Sequence, residues 1–520
     1  MMIFLKSFGT SLGRNTAFAR PNASVNSRFT APKLAVDRYS MDTAALYLPT
    51  TFSYQRRPML RLSTAEQKFC DGMRRRDWLQ LGALSPLALG MPRLFSQQSL
   101  AAEATAKPRS SFGKAKRCVI LWMGGGPAQQ DTFDMKPEAP TDFRSAFQPI
   151  DTSAPGVQIC EHFPHLARHM DKIALVRSVT HTDNNHSTAA HWMSTGYAHR
   201  ISQENFIASR RDHPHPGSVL AKMRGGRSAL PKYVNLPERS HNDNGALTPG
   251  QDAGFLGGQF DPFWIEAHPN EPNFEVSSLQ RDERVSSDRL NERTRLLQSL
   301  NVEKPELAWT HGVAGTDQFF NQALDLLNSK AAHSAFDLKQ EDAVTRLKYG
   351  DWAFGQSLLL TRRLIEAGVP LVTVSWPRHK TDRIFQHWDT HSDGFNTLKN
   401  NLIPWADRPV AVFLEELDER GLLDDTLVVW MSEFGRSPTG QHSGHWAAVN
   451  TIWFAGAGIE GGQVFGASDN VAAYPTQNPV TPADVTATIF HMLGIPLTAE
   501  IHDAADRPFP VSQGKVIGIV

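Results

Sequence analysis

Three kinds of feature are scarce in this sequence, and each absence argues against a class of protein. The 520 residues contain three cysteines and no Cys-x-x-Cys pair, so they give no support to a cysteine-bound zinc site or to thioredoxin-like chemistry. Net charge is absent, because 53 basic residues balance 53 acidic ones, which argues against a nucleic-acid partner. No uninterrupted apolar run approaches the roughly 18–20 residues that cross a bilayer, so we expect no transmembrane segment in the mature chain. A large, loop-rich globular protein remains.

The first part of the chain has the composition of an export signal. Residues 1–77 hold 13 Lys and Arg against 5 Asp and Glu, which leaves 40 against 48 for the rest. Arg75 and Arg76 precede an aromatic residue, a short apolar stretch that ends at Leu89, and the small residues Ala102 and Ala104. This order resembles a twin-arginine signal, which exports proteins that have already folded. An amphipathic surface helix is the alternative.

We therefore divide the chain into three parts. Residues 73–104 are the predicted twin-arginine signal, and residues 1–72 are either a basic, disordered extension or the result of a mis-assigned start. Residues 105–520 are predicted to form a single domain. We expect the twin-arginine export machinery to be a partner and to deliver this domain to the periplasm or beyond the cell.

Apolar runs alternate with helical patterns through the predicted domain. The run Cys118–Met123 breaks at three glycines, as a central strand does before a ligand-facing loop. Similar runs occur at Ile173–Val176, Pro370–Trp376, Thr426–Met431 and Thr451–Ala455. Helices are predicted over Asp351–Ala367 and Pro409–Arg420, each ended by a glycine, and residues 285–345 are predicted to form a mostly helical insertion. The alternation indicates an α/β fold, with a doubly wound, mainly parallel sheet and a site at the carboxyl ends of its strands.

Carboxylates and imidazoles follow four of the predicted strands. Asp131 follows the first strand, and His186 follows the second. Asp389 and His391 lie in the sequence His-Trp-Asp-Thr-His after the strand that ends at Trp376, while Glu433 and then His445 follow Thr426–Met431. Because the carboxyl ends of parallel strands share one edge, these side chains are expected to converge there. The mixture of donors suits a divalent metal such as zinc or manganese.

Three of the candidate residues have a structural interpretation beside the functional one. Asp131 lies near Pro137 and is equally well explained as part of a turn. Ser187 opens a short predicted helix, Ser187–Thr195, where it would be the N-cap, although an N-cap hydroxyl also lies where an oxyanion binds. Arg436 is either a bidentate clamp for an oxyanion or the structural partner of a carboxylate.

The motifs together resemble one family. They are Phe69-Cys70-Asp71-Gly72 before the twin arginines, Leu121-Trp122-Met123-Gly124-Gly125-Gly126-Pro127, Asp131-Thr132-Phe133-Asp134-Met135-Lys136-Pro137, Asp183-Asn184-Asn185-His186, Gly254-Phe255-Leu256-Gly257, Tyr349-Gly350 with Phe354-Gly355-Gln356, Trp388-Asp389-Thr390-His391, Ser432-Glu433-Phe434-Gly435-Arg436-Ser437-Pro438 and Gly444-His445-Trp446. This set is similar to that of the domain-of-unknown-function 1501 family and covers nearly all of the chain from Phe69. The resemblance implies a fold of the alkaline phosphatase and sulfatase type.

The resemblance also implies a metal site. Members of that superfamily usually hold two metals with a Ser, Thr or formylglycine nucleophile between them. One of the two sites is matched by Asp389 (or His387), His391 and His445. The other site lacks some of the usual ligands. Gly125 stands at its first-strand position, where Asp131 is the nearest carboxylate, and Glu433-Phe434 replaces an Asp-His pair. The nucleophile position falls on His186, with Ser187 next to it, and a sulfatase-type signature is broken because His191 stands where an arginine belongs.

Two functions follow from these implications. The first is an exported hydrolase of phosphate or sulfate esters, small or polysaccharide, that uses one divalent ion (zinc, manganese or calcium) rather than two. Its predicted metal ligands are Asp131, Asp389, His391, Glu433 and His445, and its predicted catalytic residues are Ser187, His186 and Arg436. The alternative is a non-catalytic protein that binds sulfated or phosphorylated glycans on the same fold.

Overall fold

A computed structural model describes residues 111–520 of the protein, except for 203–205, 227, 242–246, most of 281–322, 382–383 and 440. The described strands are, in chain order, β1 Arg117–Trp122, β2 Pro149–Asp151, β3 Gln158–Cys160, β4 Ile173–Val179, β5 Tyr233–Leu236, β6 Phe263–Trp264, β7 Leu371–Ser375, β8 His379–Thr381, β9 Ile384–Gln386, β10 Thr426–Met431, β11 Gly435–Arg436, β12 His445–Trp446, β13 Asn450–Ala455, β14 Val464–Phe465, β15 Ala467–Ser468, β16 Pro475–Gln477, β17 Glu500–His502 and β18 Pro508–Pro510.

The described α-helices connect these strands. They are α1 His186–Thr195, α2 Pro216–Met223, α3 Lys330–Phe336, α4 Ala343–Lys348, α5 Ala353–Glu366, α6 Gly394–Thr397, α7 Ile403–Glu419 and α8 Pro482–Met492. A π-helical segment, Leu398–Leu402, leads from α6 into α7. None of the described helices combines the length and the apolar character that crossing a bilayer requires.

A central sheet of eight strands has the order β14-β4-β13-β10-β1-β7-β5-β6. Among these eight strands β13 runs antiparallel to both of its neighbours, while every other pairing is parallel. The strands β1, β4, β7 and β10 therefore point the same way, and their carboxyl ends meet at one edge. The mainly parallel sheet expected from the sequence is confirmed.

Helices cover both faces of this sheet. Along β1, Val119 and Leu121 pack into the layer that holds α5 and α7, whereas Cys118 and Ile120 pack into the layer that holds α2 and α8. Alternate side chains of a strand point to opposite faces, so a run that is apolar at every position is buried on both sides. Each such side chain contributes roughly 1.5–3 kcal/mol on burial. The doubly wound arrangement follows from these two apolar layers.

The helix predicted from Pro409 begins six residues earlier, at Ile403, and Pro409 lies inside it. A proline in a helix leaves the carbonyl four residues before it without its usual donor. That carbonyl belongs to Trp405, and the indole N–H of Trp352 donates a hydrogen bond to it at 3.0 Å. A contact from a distant part of the chain thus makes an interior proline tolerable, which the local sequence does not reveal.

The prediction that Ser187 caps a helix is wrong. Helix α1 starts one residue earlier, at His186, with Asn185 as its N-cap and Gly196 as its C-cap. The backbone N–H of Asn185 is held by the Asp183 carboxylate, 3.0 Å away, which fixes the start of the helix. His186 therefore lies in the first helical turn, directly after the loop that follows β4.

Other predictions fall partly or wholly outside the described residues. The export signal and residues 1–72 lie outside them, as does most of the expected insertion over residues 285–345. Both of these stay predictions. Cys118 and Cys160 are buried, and each is a free thiol.

Candidate metal centre

A cavity of about 260 Å³ opens at the carboxyl edge of the sheet. Its lining comes from loops after β1, β4, β5, β7 and β10 and includes Gly124, Gly125, His186, Glu238, Ser240, His241, Ser375, Trp376, Arg378, His387, Asp389, His391, Glu433 and His445. This edge is where the parallel strands of an open α/β sheet place ligands. The topology therefore brings most of the candidate residues to one place.

Four of the lining residues form a compact group whose side chains could hold a metal ion, the candidate metal-binding group. His186, Asp389, His391 and His445 each offer one donor atom, and the four atoms lie within 4.8 Å of one another. Asp389 is central: its Oδ1 lies 2.9 Å from His391 Nε2 and 3.2 Å from His445 Nε2, and its Oδ2 lies 3.3 Å from His186 Nε2. Three imidazoles and one carboxylate are a donor set that fits a divalent ion.

Two of the imidazoles are oriented by acceptors behind them. His186 Nδ1 lies 2.6 Å from Glu433 Oε1, and His445 Nδ1 lies 2.9 Å from the backbone carbonyl of Asn184. A carbonyl and a carboxylate only accept, so each Nδ1 carries the proton and each Nε2 faces the group around Asp389. Metal-binding histidines show this arrangement, because the outer acceptor fixes the ring and the tautomer.

The glycine-rich loop after β1 packs against Asp389 and is hydrogen-bonded to Glu433 and Arg436. The backbone N–H of Gly125 donates to Glu433 Oε1 at 2.7 Å, and its carbonyl accepts from Arg436. Gly125 has a φ of 114°, and a Cβ there would lie 2.3 Å from the backbone nitrogen of Asp389. A residue without a side chain is therefore required where this loop passes Asp389.

Arg436 occupies one of the two roles that its sequence position left open. Its guanidinium is fully buried and donates to the Asp389 carboxylate and to the carbonyls of Gly125, Gly126, Ser443 and Trp388. It does not line the cavity. The structure thus places Arg436 as the structural partner of a carboxylate, behind the four candidate metal donors.

Charge is concentrated around Asp389. Burial alone would lower the pKa of His186, but hydrogen bonds to Asp389 and Glu433 outweigh it and raise the pKa to about 10. Burial would raise the pKa of the Asp389 carboxyl, but hydrogen bonds from His186 and His445 and the charge of Arg436 hold it far below its usual range. Burial lowers the pKa of His391. Without a bound ion, the ionised Asp389 carboxylate is thus paired with a protonated His186 ring.

Two predicted residues lie elsewhere. Ser187 is fully buried and outside the cavity lining, and its Oγ accepts a hydrogen bond from the backbone N–H of Phe206 at 3.2 Å. Asp131 is buried and pairs with His442 Nδ1 at 2.8 Å, outside the metal-binding group. The group contains Asp389 rather than its sequence alternative His387, whose Nδ1 accepts from the Asp389 backbone N–H at 3.1 Å.

Several lining residues were missed by reasoning from the sequence. Glu238 and Ser240 follow β5, and Ser375, Trp376 and Arg378 lie at the end of β7 or just after it. The strand Tyr233–Leu236 is only four residues long and was not predicted, so its following loop drew no attention. The signal for Arg378 was available, because it follows the predicted strand Pro370–Trp376 by two residues.

The family that the motifs resemble is confirmed. The chain belongs to the family described as Protein of unknown function (DUF1501), whose model matches residues 115–519. No curated protein has a detectable match to the sequence.

Solved structures with a related arrangement share little sequence. The lipoteichoic acid synthase LtaP from Listeria monocytogenes matches over 75% of this chain and 75% of its own, with 10% identity and a TM-score of 0.39. The PsFucS1 sulfatase from Pseudoalteromonas sp. matches over 77% and 72%, with 11% identity and a TM-score of 0.36. A protein of the alkaline phosphatase superfamily from Vibrio parahaemolyticus matches over 75% and 68%, with 14% identity and a TM-score of 0.34. Similarity at this level concerns the fold alone.

Proposed function

We propose that this protein is a hydrolase of phosphate or sulfate esters that uses one divalent metal ion. His186, Asp389, His391 and His445 would hold the ion, and the adjoining cavity would hold the ester. Glu433 and Asn184 would act as outer acceptors that orient two of the ligands. The substrate would be a small ester or an ester group on a polysaccharide.

One observation carries the proposal. The rings of His186 and His445 are each anchored at Nδ1 by an acceptor, 2.6 Å and 2.9 Å away, so that both Nε2 atoms face Asp389. An outer acceptor at Nδ1 with Nε2 directed inward is the arrangement that metal-binding histidines show. The reaction class comes from the fold that the family resemblance implies, which is that of the alkaline phosphatase and sulfatase superfamily.

The donor set narrows the choice among the three metals considered from the sequence. Three imidazoles and one carboxylate favour zinc or manganese over calcium, which prefers oxygen ligands. A divalent ion bound here would polarise an ester oxygen and lower the pKa of a water molecule. The chain itself would orient the ester in the cavity and direct Nε2 of His186 and Nε2 of His445 towards the ion.

Metal content tests the proposal directly. The full chain, purified without added metal, should carry about one equivalent of zinc or manganese by elemental mass spectrometry. His391→Ala should lose it, because the variant removes one of four donors. His502→Ala is the matched control, since His502 is also partly exposed and pairs with a carboxylate, Asp506, but lies outside the metal-binding group. Wild-type protein that neither carries nor takes up a metal would rule out the metal-dependent hydrolase.

A second candidate function is binding of sulfated or phosphorylated glycans without cleavage. The position of Ser187 favours it, because the hydroxyl predicted as a nucleophile lies outside the cavity. A metal-loaded protein that binds such glycans but turns over no aryl phosphate or aryl sulfate would support this second function against the first.

Export by the twin-arginine route belongs to the proposal as well. It rests on Arg75 and Arg76 and on the residues after them. Fractionation of cells that express the full chain or the double variant Arg75→Lys, Arg76→Lys tests it. Equal cytoplasmic retention of both forms would contradict export by this route.

A further inference from the structure

The cavity lining also includes side chains that are not candidate metal donors. Strands β7 and β5 lie on one side of β1 in the sheet, and β10 and β4 lie on the other. Glu433 and His186 follow β10 and β4, whereas Glu238 and Ser240 follow β5 and Arg378 follows β7. These three side chains thus come from the half of the sheet opposite to Glu433 and His186, the half whose strand β7 also precedes Asp389 and His391.

Besides the metal ion, a ligand with an anionic group would bind best to a positively charged side chain in this cavity. Arg436 cannot serve, because its buried guanidinium already donates to Asp389 and to four backbone carbonyls and does not reach the lining. Imidazoles that hold a metal are neutral and present no N–H of their Nε2 atoms to a ligand. Among the described residues that line the cavity, Arg378 is the arginine, and no lysine accompanies it.

The backbone at Arg378 is fixed to the neighbouring loop. Its N–H donates to Glu238 Oε1 at 2.6 Å, and Glu238 Oε2 lies 3.4 Å from His268 Nε2. Strands β5 and β7 are adjacent and parallel, so this bond joins two loops that leave the same edge side by side. An arginine held on a fixed backbone costs less entropy when it binds a ligand than one on a free loop.

We infer that Arg378 is the residue that binds the anionic group of the ligand in this cavity, as a bidentate partner of a phosphate or sulfate oxyanion. The inference rests on the site described under the proposed function, but it applies to cleavage and to binding alike. Arginine suits this role because its planar fork matches two oxygens of such an anion.

Anion binding by the full chain tests this inference. Isothermal titration calorimetry with inorganic phosphate and with inorganic sulfate would compare the wild type with Arg378→Met, Arg378→Lys and Arg239→Met. Arg239 is the matched control: it lies on the loop after β5, stacks on Trp264 at 4.6 Å and pairs with Glu266 at 3.0 Å, and it does not line the cavity. Metal content and circular dichroism, recorded for each protein, report whether the site and the fold persist.

We expect Arg378→Met to weaken binding of both anions about tenfold or more, because a charge-assisted pair is lost. The affinity of Arg378→Lys should lie between those of the wild type and Arg378→Met, since lysine keeps the positive charge but lacks the planar guanidinium. Arg239→Met should bind both anions with wild-type affinity. Wild-type affinity in Arg378→Met, or no binding of either anion by the wild type, would overturn the inference. A wild type that binds anions through Arg378 but holds no metal would instead refute the proposed function and leave this inference standing.

Discussion

Glu433 Oε1 accepts two hydrogen bonds, one from His186 Nδ1 at 2.6 Å and one from the backbone N–H of Gly125 at 2.7 Å. The first bond fixes the ring whose Nε2 lies 3.3 Å from Asp389 Oδ2. The second ties the loop after β1 to the loop after β10. Glu433, which the sequence suggested as a metal ligand, is thus placed as an outer acceptor behind His186.

Replacing Glu433 by glutamine should weaken metal binding without emptying the site. The amide oxygen can still accept from His186 and Gly125, but it is a weaker acceptor than a carboxylate and carries no charge. Removal of such an outer partner typically lowers metal affinity about 10–100-fold. Competition with a chelator of known affinity measures the change, and Glu500→Gln, at an exposed glutamate, is the control. An unchanged affinity in Glu433→Gln would mean that the acceptor does not tune the metal site.

A Cβ at Gly125 should disrupt the same region by collision. It would lie 2.3 Å from the Asp389 nitrogen and 2.7 Å from the Trp388 carbonyl carbon, at a φ of 114°. We expect Gly125→Ala to lower the free energy of unfolding by about 3 kcal/mol or more and to reduce metal content.

Gly156 is the control that separates the effect of a steric clash from the effect of backbone strain. It has a φ of 79°, but a Cβ there would meet nothing within 4 Å. Gly156→Ala should therefore cost only about 1 kcal/mol in urea unfolding and retain the metal. Equal losses in the two variants would mean that strain, rather than contact with Asp389, sets the cost at Gly125.

Ser187→Ala should keep turnover if the buried position of this hydroxyl is its working position. The Oγ accepts from the Phe206 N–H at 3.2 Å, so its removal should lower the free energy of unfolding by about 1 kcal/mol. The measurement is kcat/KM on whichever aryl phosphate or sulfate the wild type cleaves, alongside urea unfolding. Loss of turnover by a folded, metal-loaded Ser187→Ala would instead restore Ser187 as the nucleophile.

The strands of this fold are predictable because a strand that is buried on both faces is a continuous apolar run in the sequence. The apolar run Thr426–Met431 is the observed β10, and the predicted helix Asp351–Ala367 contains the observed Ala353–Glu366. The proximity of Asp389, His391 and His445 could be predicted for a related reason, since side chains that follow parallel strands meet at one edge of the sheet. The strands and the helix depend on residues close in sequence, and the clustering of these side chains depends on the order and direction of the strands, so both can be predicted.

The roles of the remaining residues depend on partners far along the chain. His186 and Ser187 are adjacent in a helix and point about 100° apart, so only the packing decides which of them faces the cavity. Asp131 meets His442, and Arg436 meets carbonyls of the loop after β1. No local sequence pattern distinguishes a carboxylate that binds a metal from one that pairs with a buried histidine. The role of such a residue is set by its partner in the folded chain, which the neighbouring sequence does not specify.

The stability of the fold should fall in mild acid, in part because of one buried histidine. His215 is fully buried as the N-cap of α2, where its Nδ1 accepts from the Gly217 N–H at 3.0 Å, and burial lowers its pKa from 6.5 to about 3. Between these two values the unfolded chain binds a proton that the folded chain does not. The free energy of unfolding therefore decreases as the pH falls below 6.5. His215 contributes about 1.4 kcal/mol per pH unit to this decrease. His215→Asn keeps a cap acceptor and removes the titrating ring, so its free energy of unfolding should fall less steeply than that of the wild type between pH 6 and pH 4. Urea unfolding across that range measures both slopes, and equal slopes would show that His215 takes up its proton without unfolding.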